Sequence, residues 1–585
     1  MPLRSTLRAV AARLGLLGDR QETNRITGPR RVFALAVILV TMFFSSLDQT
    51  VVATAMPSII TDLHGFSVYA WVFTAYMMAS AVTVPIYGKL SDVYGRKPFY
   101  LLGLGLFIVG SAVSGQAHSI YTLIAARAFQ GLGAGAMMSM PRATVGDIFN
   151  PRQRGRWMGI MAATFGLSSI IGPTLGGWIT DAWGWRWVFY INLPFAAAAL
   201  VGALFALPNV RTNRRVRVDW TGSALLVVGL VPLLLGFTWA GDRYAWDSAV
   251  ILGLFAFAVV VLAVFFWHEG RVEEPVISPR LFRNQIFTSA AAVGLLVSMG
   301  LFGALMFVPL FFQGVLGLTA RNSGQFMTPM MLSFIVGSLI GGLLITRTGR
   351  YKLQAIFGTA MAMFGVYLMT KLGVDSTKAV VIRNMAVVGV GMGLAMPVLN
   401  VAVQNAFPYR LLGVVNSSQQ FVNSLGGVIV SPILGTVLKN TFTEQLPRLM
   451  PAQLLAAISS AGAAGRQLLA DPQALVGTGS LQALQRLFAA YGPAGQMLYG
   501  EFVRAVRTAL AAGITKLFDI GLIFAAGAFL GTFFLKQITL KQDEFYTETD
   551  SAASAEAPTA AGPGPETVPA ASTLGPETTS TSRGS

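Results

Sequence analysis

The chain reads as an all-α polytopic membrane protein: two six-helix bundles plus two linking transmembrane helices, 14 spans in all, with both termini cytoplasmic. Three observations predict this class. Of 585 residues, 54% are hydrophobic and only 11% charged, and the mean hydropathy is +0.62, a balance ordinary soluble domains do not show. Apolar runs of roughly twenty residues recur along the whole length. In lipid every backbone donor and acceptor must be satisfied internally, which helices do and short open strands do not. Finally, basic loops alternate with loops nearly free of Lys and Arg.

The first 32 residues precede the spans. Within them "PLRSTLRAVAARLGLLGDR" spaces Leu3, Leu7, Val10, Leu14 and Leu17 at helical intervals with Arg4, Arg8 and Arg13 between them. This predicts a basic amphipathic helix on the inner leaflet. Spans are expected near 33–57, 67–88, 98–117, 120–146, 156–180 and 186–208, forming an N-terminal bundle over 33–208. Two linking spans follow near 219–240 and 248–268. A C-terminal bundle over 285–536 then holds spans near 285–312, 325–346, 352–372, 378–404, 412–438 and 512–536. Residues 440–511 interrupt it as an external helical loop insertion. After Lys541 the composition turns to Ala, Pro, Thr, Ser and Glu, so 541–585 is expected to be a disordered cytoplasmic tail.

Orientation follows from charge. "GKLSDVYGRK" (88–97), "NPRQRGR" (150–156), "RTNRRVR" (211–217) and "RTGRYK" (347–352) are basic, whereas "DLHGFS" (62–67) and "GQAHS" (115–119) are not. The positive-inside rule places the first set in the cytoplasm of a multi-pass protein of the cell (inner or plasma) membrane. The net charge of +17 is therefore read as topology, with no nucleic-acid partner. With no Cys, and with His64, His118 and His268 far apart, no metal site is expected. No phosphate-binding loop, carboxylate cluster or nucleophile–base pair occurs in the spans, so the chain is not read as an enzyme and needs no cofactor.

An internal repeat supports the two-bundle reading. Shifting the sequence by 254 residues aligns Gly88, Leu90, Gly95 and Arg96 with Gly342, Leu344, Gly349 and Arg350. Such duplication is a hallmark of transporter folds. Thr346 then stands opposite Asp92, so any latch made here should be asymmetric.

Two charges stand isolated inside apolar runs. Asp48, in "FFSSLDQTVVATAMP", lies about 24 Å along its span, and Arg127 lies about 20 Å from the cytoplasmic face of its own. The two are roughly level. An intramembrane ionisable residue is a functional candidate by default. An adjacent cation favours an ionised carboxylate, while burial without one favours the protonated acid. The pair therefore reads either as a proton switch or as a fixed strut between two helices.

Here the residues resemble the major facilitator superfamily, and within it the fourteen-helix drug:proton antiporter branch. "GKLSDVYGRK" is similar to its signature through Gly88, Asp92, Gly95, Arg96 and Lys97. "LDQTVVATAMP" resembles the first-helix motif but departs at Ala53, where Asn is usual, so a polar contact beside Asp48 is expected to be missing. "RAFQGLGAG" (127–135) resembles the helix-4 motif through Arg127, Gln130, Gly131 and Gly133. "GPTLGG" resembles the helix-5 antiporter motif, and "WGWRWVFYINLP" (183–194) and "DWTGSALL" (219–226) also look like this branch.

The resemblance implies a secondary transporter, driven by the proton gradient, that exports amphipathic or cationic drugs by alternating access. It assigns proton coupling to Asp48 with Arg127. Gly88, Asp92, Gly95, Arg96 and Lys97, with Gly349 and Arg350 in the second copy, would form a conformational latch. Gly172, Pro173, Gly176 and Gly177 would bend helix 5 and admit a close neighbour. Phe44, Tyr76, Met77, Phe302, Met306, Phe307 and Asn400 are candidates for lining a central cavity, where aromatic and Met side chains suit bulky cations. The expected partners are small amphipathic molecules, protons and the bilayer, and the chain is expected to be a monomer. Export of an endogenous lipid or metabolite is the alternative, and a non-transporting receptor or scaffold the second.

Overall fold

The computed structural model describes residues 29–63, 71–149, 151–207, 218–241, 243–317, 320–408, 411–450 and 492–540. The basic N-terminal segment, residues 451–491 of the external insertion and the tail lie outside them. Helices α1 to α5 run Pro29–Leu63, Trp71–Tyr94, Arg96–Gly115, Ile120–Ile148 and Pro151–Trp183. The sixth, α6, covers Trp187–Ala206 with a break at Ile191. Then come α7 (Trp220–Trp239), α8 (Ala249–Glu269), α9 (Gln285–Leu310), α10 (Ala320–Thr348), α11 (Tyr351–Met369), α12 (Lys378–Asn405), α13 (Leu412–Leu449) and α14 (Gly492–Phe533).

Among the described residues, 12 helices are long and apolar enough to cross a membrane. The other two long ones are α2, which carries Lys89 and Asp92, and α4, which carries Arg127, Arg142 and Asp147. Local sequence sets the ends: Ser119 caps α4 by accepting from the Thr122 amide at 3.2 Å, and Asn284 caps α9 by accepting from Ile286 at 2.9 Å. Gly95 and Gly349, paired by the 254-residue shift, both adopt a left-handed backbone, with φ of 97° and 66°. A side chain there would be strained, so each copy turns sharply between its second and third helices.

The two halves also share a packing pattern. In the first, α2 and α3 pack on α4, α1 packs on α5 and α6, and α3 packs on α6. In the second, α10 and α11 pack on α12, α9 packs on α13 and α14, and α11 packs on α14. The halves meet along α5 with α10 and along α2 with α13. At the first seam the Gly159 position abuts the Ser338 carbonyl, and Gly155 faces the Gly342 carbonyl, so the backbones approach as closely as small residues allow. The α7–α8 hairpin packs against α2 and α13 through Leu230, Leu234, Met78, Val82 and Val428.

In its described parts, the 440–511 insertion prolongs the helices that flank it. Helices α13 and α14 simply continue, at 38 and 42 residues. At about 1.5 Å per residue they are about 57 and 63 Å long, against a hydrocarbon core of about 30 Å. Buried Phe442, Leu446, Phe502 and Leu510 hold the extension together.

Candidate functional site

Asp48 on α1 and Arg127 on α4 form an ion pair at 2.6 Å, and neither side chain has any exposed area. Asp48 has further donors. Its Oδ1 accepts from Asn192 Nδ2 on α6 at 2.8 Å and from Gln130 Nε2 at 3.1 Å. Arg127 Nη1 also donates to Gln130 Oε1 at 2.8 Å, and Gln130 Nε2 donates to Ser111 on α3 at 2.7 Å. Arg127 and Gln130 lie three residues apart on α4, so they share one face. The guanidinium stacks 4.2 Å from the Tyr76 ring centroid on α2. Five helices thus contribute to one network around the carboxylate.

Burial of an unpaired charge would be prohibitive, and even a paired one is stabilising only when its remaining lone pairs are met. Here Asp48 meets three donors, which explains how so polar a cluster survives in the bundle core. The gap expected beside Asp48 does not exist. Ala53 is exposed, whereas Asn192 and Gln130 bring amides from other helices. The sequence reading placed Gln130 only in a motif, and Asn192 and Ser111 not at all as site residues. The signal for Asn192 was an uncharged amide inside "YINLP", which looks like ordinary helix.

At the end of the seam that bears the basic loops, a second cluster crosses between the halves. Asp92 pairs with Arg96 at 2.5 Å, and Arg96 Nε donates to Asp147 at 2.9 Å. Asp92 also accepts from the Val414 amide at 2.7 Å. Val414 lies in the first turn of α13, where free amides and the positive end of the helix dipole favour an anion. Gly88 lies against Ser417 and Gly413 of α13, and a Cβ there would collide with them. Arg142 donates to Gln420 across the same seam. Lys97 is buried beside this cluster.

The second copy is arranged differently. Thr346 bonds back to the Gly342 carbonyl at 2.8 Å, and Arg350 is exposed. The residues after α14 cover this turn: Gln537 donates to the Gly349 carbonyl at 3.0 Å, and Tyr351 to the Lys536 carbonyl at 2.7 Å. Among the described residues, Gly349 and Arg350 therefore make no contact with the opposite half like that of Asp92, because the acidic position is Thr and the segment after α14 occupies the turn. A further bridge went unforeseen: Lys89 pairs with Glu274 at 2.5 Å, tying α2 to the segment behind the α7–α8 hairpin.

In the helix-5 motif, Gly172 and Gly176 abut Thr50, Val51 and Thr54 of α1, while Gly177 has open space around it. Close approach accounts for two of the three glycines. Pro173 sits inside a helix that continues unbroken. The seven cavity candidates do not converge. Phe44 stacks on Phe195 of α6 at 4.1 Å, away from the seam, and Tyr76 belongs to the ion network. Met77 is half-buried among α2, α7 and α13 neighbours. Phe302 packs at Gly427, Met306 is 54% exposed, and Asn400 donates to the Met396 carbonyl of its own helix at 3.2 Å. Phe307 lines an apolar chamber within the second bundle. A run of apolar residues in a span does not reveal which face it presents, and that is why these assignments dispersed.

Comparison with known proteins fits this architecture. Residues 38–431 match the Major Facilitator Superfamily. The chain is 39% identical over 530 residues to the multidrug transporter protein MdtP of Bacillus subtilis (strain 168), covering 90% of this chain and 97% of that protein. It is 37% identical over 449 residues to multidrug resistance protein 3 of the same organism, covering 77% and 86%. Among solved structures it resembles the human organic anion transporter MFSD10 (TETRAN), with TM-score 0.56 and 14% identity over 85% of this chain and 100% of that one. The proton:xylose symporter XylE gives TM-score 0.53, 14% identity and coverage of 70% and 89%. An all-helical multi-pass scaffold of two similarly packed halves, a matching family over most of its length and relatives that are transporters and not enzymes lead to one conclusion: this chain is a membrane transporter of the major facilitator superfamily.

Proposed function

We propose that the protein is a proton-coupled antiporter that exports amphipathic or cationic drugs from the cytoplasm across the cell membrane, by alternating access between two bundles. All fourteen long helices would span, with the basic loops inside. The buried Asp48–Arg127 network carries this reading, and the names of its multidrug relatives support the substrate class.

In the arrangement described, Asp92 and Arg142 reach across to α13 at the end bearing the basic loops, and Asp48 accepts from Arg127, Gln130 and Asn192. Proton uptake on Asp48 would remove the charge that holds Arg127. The guanidinium keeps Gln130 Oε1, the Tyr76 ring and the Val72 carbonyl, 3.4 Å from Nε, as alternative partners. One proton thus weakens the strong contact and leaves Arg127 with the weaker ones it already makes, freeing α1 to move against α4. Release of Asp92 from the start of α13 would open the cytoplasmic end.

The test is transport in proteoliposomes under an imposed pH gradient, with organic cations beside neutral and lipid substrates. Asp48→Asn, which keeps the shape and loses the titratable group, should abolish proton-driven export of the cations. Wild-type flux in that variant overturns the coupling. Flux of lipids alone would replace the drug reading with lipid export.

A further inference from the structure

The repeat can be carried into the core of the second bundle, where it meets an apolar chamber walled by residues of all six of that bundle's helices, from Met299 on α9 to Phe524 on α14. Close glycine contacts fix the register. A Cβ at Gly131 would collide with the Tyr76 carbonyl, and one at Gly389 with the Met330 carbonyl. Gly110 abuts Gln130 as Gly365 abuts Val388. Tyr76 therefore corresponds to Met330 and Gln130 to Val388. Three residues before these last two stand Arg127 and Met385. Ser111 follows Gly110 as Val366 follows Gly365. For α1 and α9, aligning Pro57 with Pro309 in the sequence pairs Asp48 with Gly300.

All five counterparts, Gly300, Met330, Val366, Met385 and Val388, line the chamber. The same place in the fold that holds the ion network in one half is hollow and apolar in the other. Every residue around it is aliphatic, aromatic, Met or Gly.

We propose that this chamber is a binding site for one alkyl chain. A charged group is excluded, because nothing in the wall could pair with it. Water fares little better, since a buried water needs several polar partners. A hydrocarbon loses no hydrogen bonds on entry and gains contact with the wall. Four lining methionines, Met299, Met330, Met369 and Met385, adapt to a flexible chain better than a branched wall would. The chain can come from a lipid or from the tail of a free amphiphile. The site stands apart from the export reading.

The test uses the full-length protein in nanodiscs and two photoreactive probes, a decyl chain with a terminal diazirine and a phosphatidylcholine carrying the diazirine at its acyl end. Saturable insertion into residues 299–308 and 385–388 is expected from one of them, competed by unlabelled decanol. Labelling by the free decyl probe alone identifies an amphiphile tail, and labelling by the lipid probe identifies an acyl chain. Gly300→Leu and Gly521→Leu fill the space from different helices. A Cβ at Gly521 meets only Val366, at 3.7 Å, and one at Gly300 only the flexible end of Met392, at 3.3 Å, so at least one variant should fold. Either should cut labelling roughly tenfold. Asp48→Asn should leave it unchanged, which separates this site from transport. Absent or unsaturable labelling by both probes, or undiminished labelling in a folded Leu variant, overturns the proposal.

Discussion

At the scale of single residues, the cost of burying charge orders the site. Arg127→Gln leaves Asp48 buried without its cation, which should destabilise the protein by about 3–5 kcal/mol. Adding Asp48→Asn to that variant should recover much of the loss, and thermal unfolding in detergent checks both. If the double variant is no more stable than Arg127→Gln alone, the pair is not the source of the cost. Asn192→Ala removes one of three donors to Asp48 and should cost about 1–3 kcal/mol, read in the same assay. Asp48 and Arg127 were legible in the sequence because a lone charge in an apolar run has to be accounted for. Asn192 and Ser111 were not, and Gln130 only as part of a motif, because an uncharged polar residue can satisfy itself within its own helix. Only the fold reveals that three helices bring these groups into one network around the carboxylate.

Helices and their contacts make the next level. An all-helical chain with at least twelve helices fit to cross a membrane was readable from hydropathy, since lipid leaves few ways to satisfy a backbone. The length of α13 and α14 was not, because their outer portions are amphipathic and resemble any surface helix. In the same way the "GPTLGG" stretch could not say which glycine meets a neighbour. The structure separates them, and a paired substitution tests it. Gly176→Ala drives a Cβ into the backbone of Val51 and should destabilise by about 1–3 kcal/mol. Gly177→Ala meets open space and should be neutral or stabilising by up to about 1 kcal/mol, the helix preference of Ala over Gly. Thermal unfolding of the two variants side by side gives the comparison, and equal melting temperatures would contradict the close approach of α5 to α1.

For the whole molecule, the balance between states rests on the seam. Asp92→Asn weakens both the Arg96 pair and the contact with the start of α13, so the end bearing the basic loops should open more often. The chain has no Cys, which permits spin labels at Gln153 on α5 and Arg347 on α10, both exposed. Pulsed dipolar spectroscopy should then show a larger population at long distance in Asp92→Asn than in the parent. An unchanged distribution would remove Asp92 from the latch. The duplication was visible in sequence at one loop only, and its full extent emerged from packing. The α7–α8 hairpin bears on the same seam. Lying against both α2 and α13, it works as a gasket on one flank: acyl chains from the bilayer cannot wedge between the halves there as they separate. Any solute that enters sideways from the membrane must then do so on the opposite flank, between α5 and α10, where the glycine-lined contact and the Phe334, Ile335 and Ile345 side chains stand in the way.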